Sequence, residues 1–306
     1  MTEQAEDVST EPQRPPRGGL LGGVVRAARP KQWVKNVLVL AAPFTASKLA
    51  DTQVLLDAAL AFIAFSLVAS SVYLINDAID VEADRAHPTK RNRPIAAGIV
   101  PVPVAYVAAA VFLLGGVAVG WAASWQLLVV LGVYWCVQLG YCLGWKHQPV
   151  IDLCIVASGF LLRAIAGGAG TGIPLSQWFL LVTGFGSLFM VAGKRYAEIM
   201  LFERTGAQIR SSLKKYSASY LRFVWATSAG VMIMSYALWA WDTRPGLDNS
   251  VWTVVSIVPF VVAVLRYAVD VDQGNAGEPE EIALRDRALQ ILGLAWAGSL
   301  FAAVYL

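Results

Sequence analysis

The sequence predicts an all-α protein that crosses a membrane several times, and three observations lead to this prediction. Of the 306 residues, 57% are hydrophobic and only 15% are charged, and the mean hydropathy is +0.57. Apolar runs of roughly 18 to 22 residues recur from end to end, and each is long enough to cross the bilayer core as a helix. The runs lack the polar and apolar alternation of barrel strands, so we expect helices throughout.

The length rule gives about nine spans, which we expect to form one bundle around a cavity open to the cytoplasmic side and to the bilayer. Residues 1–17 are acidic and proline-rich and predict a disordered tail; residues 18–306 predict a single transmembrane domain. Residues 20–34 suit an interfacial helix. The predicted spans are 35–50, 54–77, 103–121, 125–143, 150–168, 176–198, 219–241, 250–270 and 287–306.

Basic residues are concentrated in alternate loops. The loops before span one, between spans two and three and between spans six and seven are rich in Lys and Arg, whereas the opposite loops carry only Lys48 and Arg244 as strong bases. By the positive-inside rule, the N-terminus and the basic loops are cytoplasmic. We therefore expect a multi-pass protein of the plasma membrane whose charged sites face the cytoplasm.

An acidic motif ends the second span and is the most informative part of the sequence. Asn76, Asp77, Asp80 and Asp84 fall within an arc of roughly 100° if the helix continues through them. Acidic groups at a helix C-terminus oppose the macrodipole and repel one another unless a cation lies between them. Mg²⁺ prefers a few carboxylates together with substrate phosphates. We expect Mg²⁺ on Asn76, Asp80 and Asp84, with Asp77 as a further ligand or an orienting group; the three aspartates are the candidate catalytic residues.

Basic residues follow this motif directly, and a second charged helix end lies four spans later. Lys31 and Lys35 precede span one and would share a face of an α-helix, which makes them candidate anchors for a lipid phosphate. For each basic residue, the positive-inside rule offers an alternative in which it has no other role. The candidate phosphate-binding and substrate-binding residues are Lys31, Lys35, Lys90, Arg91, Arg93, Lys194, Arg195 and Glu198.

Four further residues have roles that the sequence leaves open. Arg163 lies well inside span five, where an arginine is a functional candidate by default, but its depth favours a structural partner over a diphosphate contact. Asp152 lies nearer the cytoplasmic end of the same span and is a candidate for the cavity. Tyr141 and Tyr196 lie near span ends, where aromatic residues also form interfacial belts.

The acidic motif and the run from Thr89 to Gly98, TKRNRPIAAG, resemble the first signature of the UbiA-type intramembrane prenyltransferases. The resemblance covers almost the whole chain. It implies a membrane-embedded enzyme that binds a diphosphate through Mg²⁺ and transfers a group inside the bilayer.

The second motif departs from the common D-x-x-x-D pattern of that family, because Lys194, Arg195 and Glu198 leave only one carboxylate there. Together with the segments 29–36 and 159–167, this departure resembles a branch that uses phosphoribosyl diphosphate and a polyprenyl (decaprenyl) phosphate. The resemblance implies a product that serves as a precursor of arabinose units in mycobacterial-type cell walls. Such substrates carry three anionic groups and need more cations than Mg²⁺ alone supplies, which agrees with the many bases.

Two alternatives remain at this point. An ordinary prenyltransferase would use the same first motif to move a polyprenyl chain onto an aromatic or haem acceptor. A transporter is disfavoured, because the charges cluster at one membrane face rather than along a pathway. We expect no nucleic-acid partner, and the sequence leaves open both the lipid chain length and whether the protein is a homo-oligomer.

Overall fold

A computed structural model describes residues 19–205, 213–243, 250–276, 282 and 285–305, so the tail predicted at 1–17 lies outside the described residues. Within these ranges the chain is all-helical and contains no strand. The α-helices are α1 (Leu20–Ala27), α2 (Ala41–Thr45), α3 (Thr52–Ile79), α4 (Val81–Ala86), α5 (Val102–Ala123), α6 (Trp125–Leu143), α7 (Ile151–Thr171), α8 (Gln177–Thr205), α9 (Ala218–Thr243), α10 (Ser250–Val255), α11 (Ile257–Asp272) and α12 (Arg287–Tyr305).

Six stretches of the described chain are helical, long and apolar enough to cross a membrane, which confirms an all-helical integral membrane protein. They are α3, α5, α6, α7, α9 and the stretch formed by α10 and α11. Helix α8 is 29 residues long, but its final turns are charged, and α12 is a shorter apolar helix. The expected count of nine spans is therefore not confirmed.

The first predicted span is a 3₁₀ helix, Pro30–Leu40, followed by the short α2. An 11-residue 3₁₀ run is unusual, because such runs rarely exceed about four residues. With three residues per turn, Trp33, Asn36 and Val39 lie on one face, and Asn36 and Val39 are buried. This 3₁₀ segment therefore presents a periodic buried face to the bundle.

Helices α3 and α7 supply the partners that hold the 3₁₀ segment. Ser70 Oγ accepts a hydrogen bond from the indole of Trp33 at 3.1 Å, and Ser66 Oγ accepts one from Asn36 at 2.8 Å. Gly167 lies so close to the segment that a Cβ there would overlap the backbone carbonyl of Val39. Side-chain hydrogen bonds and one glycine therefore compensate for the weak hydrogen-bond geometry of a long 3₁₀ run.

Helix α3 ends within the acidic motif rather than continuing through it. Its last residue is Ile79, and Asp80 caps it with φ −86° and ψ 11° before α4 begins at Val81. One uninterrupted α-helix from Asn76 to Asp84, which the sequence analysis assumed, is therefore not found. The i to i+4 hydrogen bonds Asp80 N–H to Asn76 O and Asp84 N–H to Asp80 O are still present, and Arg93 Nη1 reaches both Asp77 and Asp84, as expected if those two side chains share a face.

The chain returns to the same end of the bundle between α6 and α7. Gly144 follows α6 with φ 139°, a conformation that side-chain-bearing residues rarely adopt. A 3₁₀ turn, Trp145–His147, then leads to the start of α7 at Ile151. This connection brings Lys146 and Asp152 to the end of the bundle that carries the acidic motif.

Candidate active site

The first acidic cluster consists of Asp77, Asp80 and Asp84 with Arg29, Arg93 and Lys146. Arg93 Nη1 lies 3.0 Å from Asp77 Oδ1 and 2.7 Å from Asp84 Oδ2, so one guanidinium joins the two carboxylates. Arg29 Nη2 approaches the same oxygen of Asp77 at 2.6 Å. The Asp77 and Asp84 side chains are almost fully buried, whereas those of Arg29 and Arg93 retain 29% and 27% exposure.

Asp80 has a different partner from Asp77 and Asp84. Lys146 Nζ lies 2.6 Å and 2.8 Å from its two carboxylate oxygens. Both side chains remain partly exposed, at 28% for Asp80 and 20% for Lys146. Asp80 is thus the most accessible carboxylate of the motif, and its present counterion comes from the connection between α6 and α7.

Arg29 and Lys146 are functional candidates that the sequence reasoning did not select. Arg29 has φ 55° and starts the 3₁₀ segment; a non-glycine residue in this conformation is uncommon and often marks a functional position. Its guanidinium also lies 4.9 Å from the ring centroid of Tyr73. Lys146 could have been found as an isolated strong base in a short loop, but nothing in the sequence shows that it reaches Asp80.

The metal prediction has the right donor chemistry but no preformed cage. Asn76 Oδ1 lies 3.4 Å from Cys142 Sγ, and its amide nitrogen lies 3.5 Å from Asp77, so the amide adjoins the carboxylates. Among the described residues, no three His, Cys, Asp or Glu side chains are arranged around a common metal position. In this structure three cationic side chains balance the three carboxylates of the cluster.

The predicted pair Lys31 and Lys35 does not share a face. In a 3₁₀ helix, positions four apart point in directions about 120° apart. Lys31 is exposed, whereas Lys35 is half-buried with its ammonium group 5.8 Å from the ring centroid of Phe160. Of the other loop bases, Arg91 is exposed and Lys90 is half-buried. Their phosphate-binding roles stay predictions.

A second cluster, formed by Tyr141, Asp152, Arg195 and Glu198, lies at the same end of the bundle. Arg195 Nη2 is 3.2 Å from Asp152 Oδ1, and Arg195 Nη1 is 3.6 Å from Glu198 Oε2. The Tyr141 hydroxyl donates to Asp152 Oδ1 over a long 3.4 Å. The second motif itself keeps one carboxylate, as the sequence shows, and Asp152 from α7 adds another beside it.

Helix α6 links the two clusters. Its residue Tyr141 contacts Asp152 of the second cluster, and the next residue, Cys142, contacts Asn76, which adjoins Asp77 of the first. Lys146, a few residues later, reaches Asp80. Because consecutive Cα atoms are only about 3.8 Å apart, the two clusters adjoin each other. The two charged helix ends, four predicted spans apart in the sequence, thus lie next to each other in the fold.

The remaining candidates have structural partners. Arg163 is buried, its Nε donates to Asn36 Oδ1 at 2.7 Å, and the centroids of the Phe65 and Tyr134 rings lie 4.9 and 5.4 Å from its guanidinium. Arg163 therefore ties α7 to the 3₁₀ segment, the structural role that its depth suggested. Tyr196 is fully buried, and its hydroxyl accepts a hydrogen bond from Arg222 at 2.7 Å.

Comparison with known proteins agrees with this arrangement. Residues 37–292 match the sequence model of the UbiA prenyltransferase family. Proteins named decaprenyl-phosphate phosphoribosyltransferase from Mycolicibacterium smegmatis and Mycobacterium tuberculosis are 54% and 56% identical, covering 100% and 98% of this chain and 98% and 99% of their own. The relative of the same name from Corynebacterium glutamicum is 54% identical over 96% of this chain and 90% of its own.

Solved structures show the same fold. A UbiA homolog from Archaeoglobus fulgidus bound to DMAPP and Mg²⁺ superposes with a TM-score of 0.67 at 17% identity, covering 93% of this chain and 99% of its own. The same homolog bound to GPP and Mg²⁺ gives 0.65 at 16% identity, with 93% and 100% coverage. The chain therefore belongs to the UbiA prenyltransferase family.

Proposed function

We propose that the protein transfers the 5-phosphoribosyl group from phosphoribosyl diphosphate to a polyprenyl phosphate such as decaprenyl phosphate, releasing diphosphate. The observation that carries this proposal is the first acidic cluster, in which three carboxylates are paired with three cationic side chains from three separate segments. Such a cluster holds enough positive charge for several phosphates once a metal joins the carboxylates. The names of relatives at 54–56% identity support the same substrates.

Mg²⁺ is the cofactor in this proposal, held by Asp80 and Asp84 with the Asn76 amide oxygen. The donor set fits, because Mg²⁺ takes hard oxygen ligands and is usually bound through one or two carboxylates plus substrate phosphates, without a complete protein cage. When bound, it supplies charge stabilisation for the departing diphosphate. Family structures that contain Mg²⁺ support this cofactor.

Two cations of the first cluster, Lys146 and Arg29, would then be available to phosphate oxygens. Lys146 is the most mobile in our proposal, because its pair with Asp80 is partly exposed and such pairs are weak, at roughly 0–1 kcal/mol. Arg93 remains between Asp77 and Asp84 and keeps their carboxylates oriented. Arg29 lies at the edge of the same cluster and offers a planar fork suited to phosphate.

The other anionic groups of the substrates need further bases. We assign the 5-phosphate to Lys90 and Arg91 in the loop after α4, and the lipid phosphate to Lys31 and Lys35 of the 3₁₀ segment and Lys194 of α8. Arg195 is left out of this assignment, because both of its terminal nitrogens already face carboxylates. The phosphate role predicted for Arg195 from the sequence is therefore not carried into the proposal.

The chemistry is a displacement at C1 of the ribose. An oxygen of the lipid phosphate attacks C1, a new C1–O bond forms, and the bond from C1 to the diphosphate oxygen breaks with its electron pair on the leaving group. The lipid phosphate is already ionised at neutral pH, so no general base is required. The side chains therefore contribute by positioning the reactants and by stabilising charge on the diphosphate.

We further propose that this end of the bundle faces the cytoplasm and that the protein resides in the plasma membrane. The basic residues named above are at this end, whereas Lys48 is a strong base at the other. The positive-inside rule favours this orientation. It places the site where a soluble, multiply charged donor is accessible and where a lipid phosphate can approach from the inner leaflet.

The test is a donor comparison with the full-length protein in lipid nanodiscs. Labelled phosphoribosyl diphosphate or a labelled prenyl diphosphate is supplied with Mg²⁺ and with polyprenyl phosphates of short and long chain, or with aromatic acceptors. We expect a labelled lipid only from phosphoribosyl diphosphate and a polyprenyl phosphate, and none after chelation of the metal. Prenyl transfer to an aromatic acceptor, without phosphoribosyl transfer, would overturn the proposal in favour of the ordinary family reaction.

A further inference from the structure

The second cluster contains two buried polar atoms that lack a partner. Asp152 is 1% exposed and Arg195 is 4% exposed. Asp152 Oδ2 and Arg195 Nε have no hydrogen-bond partner among the described residues. An unpaired buried polar atom costs about 1–3 kcal/mol, and more when the group is charged. Because both atoms belong to the same ion pair, their missing hydrogen-bond partners indicate that a further group binds at this cluster.

The charge of the cluster argues against a phosphate as the missing group. Asp152 and Glu198 carry two negative charges, and Arg195 carries one positive charge, which faces both carboxylates at 3.2 and 3.6 Å. Both terminal nitrogens of Arg195 thus already face carboxylates, and an anion here would be repelled by two negative groups. A hydroxyl group is neutral, and it can donate to a carboxylate oxygen and accept from a guanidinium N–H.

The position of the cluster argues for hydroxyl groups that belong to the donor. Tyr141 contacts Asp152, and its neighbour Cys142 contacts Asn76 beside the proposed diphosphate site. In a glycosyl diphosphate, the hydroxyl-bearing ring is joined directly to the diphosphate. A donor whose diphosphate lies at the first cluster therefore brings its ring towards the second.

We propose that Asp152, paired with Arg195, binds ring hydroxyl groups of the sugar diphosphate donor and so selects a ribosyl donor over a prenyl donor. The inference rests on the function proposed above. On binding, a sugar hydroxyl donates to Oδ2 of Asp152, the oxygen that lacks a partner among the described residues, while Oδ1 keeps its contacts with Arg195 and Tyr141. Acidic side chains bind ribose hydroxyl groups in the same way in other nucleotide sites.

The selectivity follows from what an apolar donor would leave unpaired. A prenyl chain has no group that donates to Asp152, so its entry would desolvate the cluster without compensation. Sites built to hydrogen-bond a substrate hydroxyl reject analogues that lack it by roughly 10⁴–10⁵ in the best cases. The carboxylate on α7 thus acts as a specificity determinant in a fold that other members use for prenyl diphosphates.

The experiment pairs donor analogues with a matched substitution. Full-length protein in nanodiscs is assayed with phosphoribosyl diphosphate and with its 2-deoxy and 3-deoxy analogues. We expect kcat/KM to fall by about a hundredfold or more for at least one analogue. In Asp152→Asn, the amide keeps an acceptor for Arg195 but presents an N–H in place of Oδ2. The full donor should then lose its advantage over the deoxy analogues, so the ratio of their kcat/KM values should approach one.

Asp270→Asn is the control, because Asp270 also has a buried oxygen without a described partner but lies on α11, outside both clusters. We expect Asp270→Asn to keep the hydroxyl preference of the wild type. The dependence of the rate on Mg²⁺ is measured in each variant. A preference that survives in Asp152→Asn, with a raised Mg²⁺ requirement, would identify Asp152 as a metal ligand and overturn the inference.

The wild-type measurement keeps the inference testable even if Asp152→Asn fails to fold. If wild-type protein uses both deoxy analogues as well as the full donor, the hydroxyl-binding role is wrong while the proposed function stands. If wild-type protein makes no phosphoribosyl lipid from the full donor, the proposed function itself is wrong. The two failures therefore give different results in the same assay.

Discussion

The two clusters at one end of the bundle both pair carboxylates with cationic side chains, but they differ in burial. In the first cluster, Asp77 and Asp84 are buried, whereas their arginine partners and both members of the Asp80–Lys146 pair are 20–29% exposed. In the second, the Arg195 side chain is only 5% exposed and faces two carboxylates. Partly exposed pairs separate at little cost, whereas separating a buried pair costs roughly 3–5 kcal/mol. The Asp80–Lys146 pair of the first cluster is thus suited to exchanging partners with a metal and phosphates, and the second cluster to a fixed recognition role.

Asp80→Ala should give the largest effect on activity, because Asp80 is the accessible carboxylate that would exchange Lys146 for the metal. We expect kcat to fall by about a hundredfold to a thousandfold, as when a charge-stabilising group is removed. The melting temperature should stay close to wild type, since the pair with Lys146 is partly exposed. Initial rates of labelled lipid formation and thermal unfolding in nanodiscs measure the two quantities.

Asp57→Ala is the matched control for Asp80, because Asp57 lies near the other end of α3 and accepts a hydrogen bond from Gln53. It should retain wild-type turnover. Normal turnover in Asp80→Ala, with the protein folded, would show that the first cluster does not hold the metal. The proposed difference in role between the two clusters would then be wrong.

Lys146→Ala should change two constants in opposite directions. Removing the ammonium group frees Asp80, so the Mg²⁺ concentration for half-maximal rate should fall. The donor loses a phosphate contact, so KM for phosphoribosyl diphosphate should rise about tenfold or more, as expected from losing a charge-assisted hydrogen bond of about 1.5–3 kcal/mol. Titrations of metal and of donor measure the two constants separately. A rise in both would indicate that Lys146 only maintains the shape of the site.

The sequence predicted what depends on local composition. Span length and apolar runs identified α3, α5, α6, α7 and α9, because a bilayer core fixes the length of an apolar helix. The same rule could not distinguish a 3₁₀ segment from a membrane span. The 3₁₀ conformation depends on contacts from α3 and α7, which lie far along the chain.

In the candidate site, too, the sequence predicted local features but not those that depend on distant contacts. The acidic motif was readable from its spacing, but the interruption of the helix at Asp80 and the pairing of Asp80 with Lys146 were not. Asp152 remained an open candidate, because its pairing with Arg195 across two helices is tertiary. Sequence spacing identifies groups on one helix, whereas the charge balance of a site depends on which helices meet.

Glu198→Gln tests the fixed character of the second cluster. The substitution removes one negative charge from the cluster and keeps the side-chain shape. We expect KM for the donor to change by less than about tenfold, because Glu198 is 23% exposed and its 3.6 Å pair with Arg195 is loose. The Mg²⁺ requirement should not change, and a marked increase in it would assign a metal to the second cluster and erase the distinction between the two.

Arg163→Met should give the smallest effect on activity. It tests whether Arg163 stabilises only the 3₁₀ segment or also the second cluster. Arg163 is on α7, the helix that carries Asp152, but its Nε donates to Asn36 in the 3₁₀ segment. Without it, Asn36 loses a buried partner, at a cost of about 1–3 kcal/mol. Turnover per folded molecule should stay within about threefold of wild type. Amide hydrogen exchange should accelerate at residues 30–40 and remain unchanged at the start of α7. Faster exchange around Asp152 would instead mean that Arg163 supports the second cluster directly. Because Arg29 of the first cluster begins the 3₁₀ segment, Arg163 would then be a structural support shared by the two clusters.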